Sequence, residues 1–151
     1  MPTNCSLMNK KNKRRSKMTK LSKIEGIGSV NEAKLKAAKA GSVEGLLKKG
    51  ATAKGRAELA TASGISKKFI LEWVNSADLF RIKGVGGQYA DLLEEAGVDT
   101  VIELANRAPE ALHKIIMDVN VKKNLVNRPP NLKMVKNWIV QAKKLRRVVE
   151  Y

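Results

Sequence analysis

The chain repeats itself, and that repetition limits its fold more than any other feature. At an offset of 58 residues, Leu21, Ile24, Gly26, Ile27 and Gly28 fall on Leu79, Ile82, Gly84, Val85 and Gly86. The register runs on without a gap, pairing Leu35 with Leu93, Ala38 with Ala96, Val43 with Val101 and Leu46 with Leu104. Later it drifts, because Trp73, Val74 and Ala77 answer Trp138, Ile139 and Ala142 at an offset of 65. The second copy therefore carries a longer connection, and the break at Arg128, Pro129, Pro130 and Asn131 marks its place.

Helical periodicity dominates both copies, with no sustained strand-like alternation. Phe69, Ile70, Trp73, Val74 and Ala77 form one apolar stripe, with Ser66 as N-cap and Gly64 ending the helix before it. Leu132, Val135, Trp138, Ile139, Ala142 and Leu145 form another, started by Asn131. Shorter helices are predicted over 29–38, 42–48, 54–62, 87–96, 100–106 and 109–119. The expected fold is all-α, a bundle of about eight or more short helices built from two tandem repeats. Residues 21–78 form the first repeat and 79–149 the second, packed together as one globular body. Residues 1–20, rich in Asn, Lys, Arg and Ser, are expected to form a disordered basic arm, since they cannot bury enough apolar surface to offset chain entropy.

The net charge of +16 predicts polyanionic partners. Eight of the 30 basic residues lie in positions 1–23, where there is no acid, so the other 22 face all 14 acids and the body is basic without the arm. Met18 is an alternative start. A single Cys (Cys5) and a single His (His113) exclude an internal disulfide or a Cys/His zinc site. The N-terminus lacks a signal-peptide core, and no long uncharged stretch is present to span a membrane. A cytoplasmic place, the bacterial cytoplasm or nucleoid, is expected.

Ile-x-Gly-Ile/Val-Gly between two apolar helices carries the chemistry. Glycines let the backbone turn tightly and remove side chains that would keep a ligand away, and the apolar residue between them anchors the turn. The following helix starts at once, so its free N–H groups and positive dipole end suit a phosphate oxygen. Over about two patches of 25 residues the pattern resembles the helix-hairpin-helix superfamily, as in recombinase N-terminal domains and the C-terminal domain of the α-subunit of RNA polymerase. Across 21–145 the chain resembles a bacterial family of unknown function with two such units, similar to the helix-three-turn-helix region of flap-type nucleases. The resemblance implies sequence-independent contact with DNA backbone phosphates, with RNA tolerated. It implies no nuclease chemistry.

On that resemblance the second unit offers Gly84, Val85 and Gly86 as the hairpin. Gly87 and Gln88 open the next helix, and Arg81 and Lys83 flank it. Ala90 supplies the small residue the superfamily uses for close helix packing, and Gly97 can end the helix. The first unit keeps Gly26, Ile27 and Gly28 beside Lys23, but Glu32 stands in place of that Ala and Lys39 in place of that Gly. Glu25 and Glu32 would repel a phosphate, so hairpin two is expected to bind the more strongly.

Other signals point to structure. Trp73 and Trp138 lie on apolar faces and are expected in the core, and six aromatics are too few for successive base stacking. His113 has no ligand partner at helical spacing. Asp91, Glu94 and Glu95 read as a solvated helix face rather than a metal patch. The 14 acids do not form the dense carboxylate set of a two-metal nuclease, so the protein is expected not to be an enzyme and to need no cofactor. The competing class is a protein-protein interaction module on the same scaffold.

Overall fold

The structure, a computed structural model, describes residues 19–151. The expected basic arm, Cys5 and Met18 lie outside the described residues, apart from positions 19 and 20 of the arm. After a 3-10 turn at Leu21–Lys23 come eight α-helices: α1 Gly28–Ala37, α2 Val43–Lys49, α3 Ala53–Ser63, α4 Lys67–Leu79, α5 Gly87–Glu95, α6 Val101–Ala105, α7 Pro109–Lys123 and α8 Leu132–Lys144. No strand occurs among the described residues.

Local chemistry sets most of these boundaries. Side-chain oxygens of Ser42, Thr52, Ser66, Thr100 and Asn131 accept first-turn N–H groups of α2, α3, α4, α6 and α8, which would otherwise lack partners. Gly64 (φ 74°) ends α3 in the left-handed region, and Pro109 occupies the first turn of α7, where its missing N–H costs nothing. The turn after α1 passes through Lys39 at φ 66°, and the matching turn after α5 through Gly97 at φ 93°. The first copy thus holds a lysine where glycine would be unstrained.

The repeated apolar positions fill two cores. Leu21, Ile24, Ile27, Leu35, Val43, Leu46 and Trp73 belong to one. Their counterparts Leu79, Ile82, Val85, Leu93, Val101, Leu104 and Trp138 belong to the other, with Phe80 packed against both. Trp73 and Trp138 are buried, as their apolar faces predict. His113 is half-buried with a ring nitrogen 3.1 Å from the Pro130 carbonyl.

Several sets of contacts join the two units. Buried Asp78, at the end of α4, accepts the Val101 N–H at 2.8 Å and takes an ion pair from Arg81 at 2.6 Å, so one carboxylate starts α6 and fixes the chain between the units. The segment after α8 runs back to the first unit. Val149 enters the first core, the Glu150 N–H donates to the Ala51 carbonyl, and buried Arg56 donates to the carbonyls of Gly50, Ala51 and Glu150. Most intimate is the seam where Gly87 meets Lys23. A Cβ on Gly87 would stand 1.9 Å from the Lys23 carbonyl oxygen, closer than any side chain can approach.

Neighbouring glycines therefore make opposite predictions. Gly86→Ala meets nothing within 4 Å and has an ordinary φ of −104°, so it should change unfolding free energy by less than about 0.5 kcal/mol. Gly87→Ala should force the seam apart and cost about 1–3 kcal/mol. Urea unfolding of the two variants checks the contrast, and equal stabilities would count against the seam.

Candidate nucleic-acid interface

Gly26 (φ 90°) and Gly84 (φ 95°) sit at the same register in backbone that side chains rarely adopt. Each lies against the indole of its own unit's tryptophan: a Cβ would be 4.0 Å from Trp73 Nε1 at Gly26 and 3.3 Å from Trp138 Nε1 at Gly84. Ile27 and Val85 anchor the turns in separate cores. The second glycines differ, because Gly28 enters α1 at φ 70° whereas Gly86 enters α5 at φ −104°. At both, the space a Cβ would take is open. Neither α1 nor α5 has a side-chain cap, so their leading N–H groups are not taken up that way.

The seam brings the first hairpin to the second. Lys23, Gly84, Gly86, Gly87, Gln88 and Tyr89 line one open cleft of about 580 Å³ with Val126, Asn127 and Arg128. The glycine edge forms part of this lining, with Lys23 arriving from the other unit. Lys83 is exposed beside it, its backbone clamped by the Gln141 side chain, which accepts the Lys83 N–H at 2.9 Å and donates to its carbonyl at 3.2 Å. Arg81 is held differently: its guanidinium is committed to Asp78, and the residue is half-buried. Of the sequence-predicted residues, Gly84, Gly86, Gly87, Gln88 and Lys23 share this cleft. Val85 lies beneath in the core, while Gly26 lines a second cleft.

Sequence reading missed Tyr89, Asn127 and Arg128. The signal was the Arg-Pro-Pro break, legible as a longer connection but with no indication of which way it folds.

The second cleft, about 680 Å³, is acidic: Glu25, Glu72, Asp91, Glu94, Glu95 and Asp99 line it with Gly26, Phe69 and Trp73. Asp91, Glu94, Glu95 and Asp99 come from one stretch of chain, and the fold adds Glu25 and Glu72 to them, because α4, α5 and the first glycine turn face one another there. Among the described residues, no three of the Asp, Glu, His and Cys side chains are placed to hold a metal ion. Glu25 looks both ways, since its Oε1 is also 3.6 Å from the space above Gly87.

Burial raises the Asp91 and Asp99 carboxyls above the usual range, helped by Glu95 and Glu25 at the first and by Glu103 at the second. Glu94 is pushed up to about 7 by burial, although the Ser76 hydroxyl donates to it at 2.5 Å and works in the other direction. A carboxyl whose folded value exceeds its ordinary 4.5 stabilises the fold in its protonated form, so this contribution is present at low pH and lost as pH rises through about 7. The melting temperature of the protein should therefore fall between about pH 5 and pH 7.5, and Glu94→Gln should flatten that fall. An equally steep fall in the variant would remove Glu94 as its source.

In comparison with known proteins, residues 25–145 fit the model of a family described as Domain of unknown function (DUF4332). No curated protein and no solved structure matches.

Proposed function

We propose that this chain, which belongs to the family described as Domain of unknown function (DUF4332), is a non-catalytic accessory DNA-binding protein that grips backbone phosphates without reading sequence. In this reading the two glycine turns are helix-hairpin-helix units, and hairpin two is the principal contact. One observation carries the proposal. At the start of α5 an open glycine backbone and an uncapped helix end share a cleft with Lys23, and Lys83 is exposed beside them. N–H groups at a helix start, a positive dipole end and nearby ammonium groups match a phosphate oxygen.

Hairpin one shares the positive-φ first glycine but faces carboxylates, so it contributes Lys23 to its neighbour rather than a phosphate site of its own. Arg81, tied to Asp78, supports the hairpin instead of touching the ligand. A body that holds phosphate edges tolerates RNA as well as DNA and works in the cytoplasm or nucleoid.

Titration of duplex DNA by fluorescence anisotropy over a salt series tests the reading, using the full chain and a chain beginning at Met18. With about four to six phosphates neutralised, log affinity should fall against log salt with a slope of about −4 to −5. Gly86→Glu places a carboxylate in open space at the α5 start and should weaken binding at least about tenfold, with circular dichroism confirming the fold. Glu25→Gln removes the acid nearest Gly87 and should tighten binding about two- to fivefold. Binding that vanishes in the chain beginning at Met18 and ignores both substitutions would sink the proposal.

A second reading, a protein-protein interaction module, is favoured by the acidic cleft, whose charge and exposed Phe69 suit a basic protein surface and repel DNA. Binding of DNA that is indifferent to the hairpin would move the weight to this reading.

A further inference from the structure

The longer connection that distinguishes the second repeat has no role in the hairpin reading, yet it ends at the hairpin. Between α3 and α4 the first unit needs only Gly64, Ile65 and Ser66, whereas the second uses residues 124–131 between α7 and α8. This loop is braced at several points. Buried Asn120 accepts the Val126 N–H at 3.0 Å and donates to the Val126 carbonyl at 3.1 Å, so its amide copies a backbone pairing. The Tyr89 hydroxyl donates to the Arg128 carbonyl at 2.9 Å, and the Tyr89 ring packs on Trp138 with centroids 5.3 Å apart. Pro129 restricts Arg128 to extended backbone, and buried Pro130 presents its carbonyl to His113. All of this orders the backbone and leaves the Arg128 guanidinium with no partner among the described residues, on an exposed residue that lines the cleft holding Gly86, Gly87 and Lys23.

We infer that residues 124–131 form a phosphate-gripping arm, with Arg128 binding the backbone of the same nucleic-acid strand that rests on the glycine edge. The inference rests on the hairpin reading and adds to it a third contact point. Lys23, the α5 start and Arg128 come from three separate segments and converge on one strand of phosphates. Arginine suits the position, since its planar fork can meet two phosphate oxygens while lysine offers a point charge. Tyr89 is a positioning residue here, acting through the Arg128 carbonyl.

The test is duplex-DNA anisotropy over a salt series with the full chain, Arg128→Gln, Arg128→Lys, Gly86→Glu and, as a control for loss of one charge outside the cleft, Lys48→Gln on α2. Arg128→Gln should weaken binding about tenfold near 0.15 M salt and make the log–log slope shallower by about one. Arg128→Lys should restore the slope, which a merely structural loss would not allow. If Arg128→Gln weakens binding no more than Lys48→Gln while Gly86→Glu still weakens it strongly, the arm is overturned and the hairpin reading stands. If the unaltered chain fails to bind duplex DNA, the hairpin reading falls and the arm falls with it.

Discussion

The contact of Gly87 with the Lys23 carbonyl governs what the rest of this molecule can present. Two short helical units could pack in many ways, but only a residue without Cβ lets the start of α5 lie directly on the turn before hairpin one. From that contact follow the nearness of the hairpins, the entry of Lys23 into the second cleft, and the position of Glu25 at its edge. Asp78 and the returning C-terminal segment hold the arrangement from elsewhere, one by starting α6 from the end of α4, the other by seating Val149 in the first core. Single contacts of this kind are each worth little beside chain entropy, and the seam is secure because several act on the same relative placement of the units.

The repeat has given two glycine turns with one frame and two chemistries. Positive-φ glycines packed on tryptophan indoles recur at the same register, although the second glycines differ, Gly28 at φ 70° and Gly86 at φ −104°. Charge separates them. Around hairpin one, α4, α5 and the turn after α5 supply five carboxylates beyond Glu25, and burial pushes the Glu94 carboxyl up to about 7. Around hairpin two, the loop from Val126 to Arg128 and the borrowed Lys23 give a basic rim. A strongly basic chain thus has an acidic face among its described residues.

Much of this was legible in the residues. Offset repetition placed both hairpins, the period of the apolar stripes gave the helices, and capping residues such as Ser66 and Asn131 fixed starts to within a residue or two. These features are local, and short-range sterics and hydrogen bonding settle them. The site was legible only in part. Gly84, Gly86 and Gly87 announced themselves, whereas Arg81 looked available until Asp78 was seen beside it, and Arg128 looked like the flank of a loop.

The sequence by itself determined the all-helical architecture, the duplication and the glycine turns, because backbone conformation and apolar periodicity are written within a few residues of one another. Only tertiary structure decided which charges meet. Glu25 and Glu72 meet the acids of 91–99 in one cleft, and Lys23 stands with Arg128 more than a hundred positions away. Charge interactions depend on distance through space, and no local pattern records which segments folding will bring together.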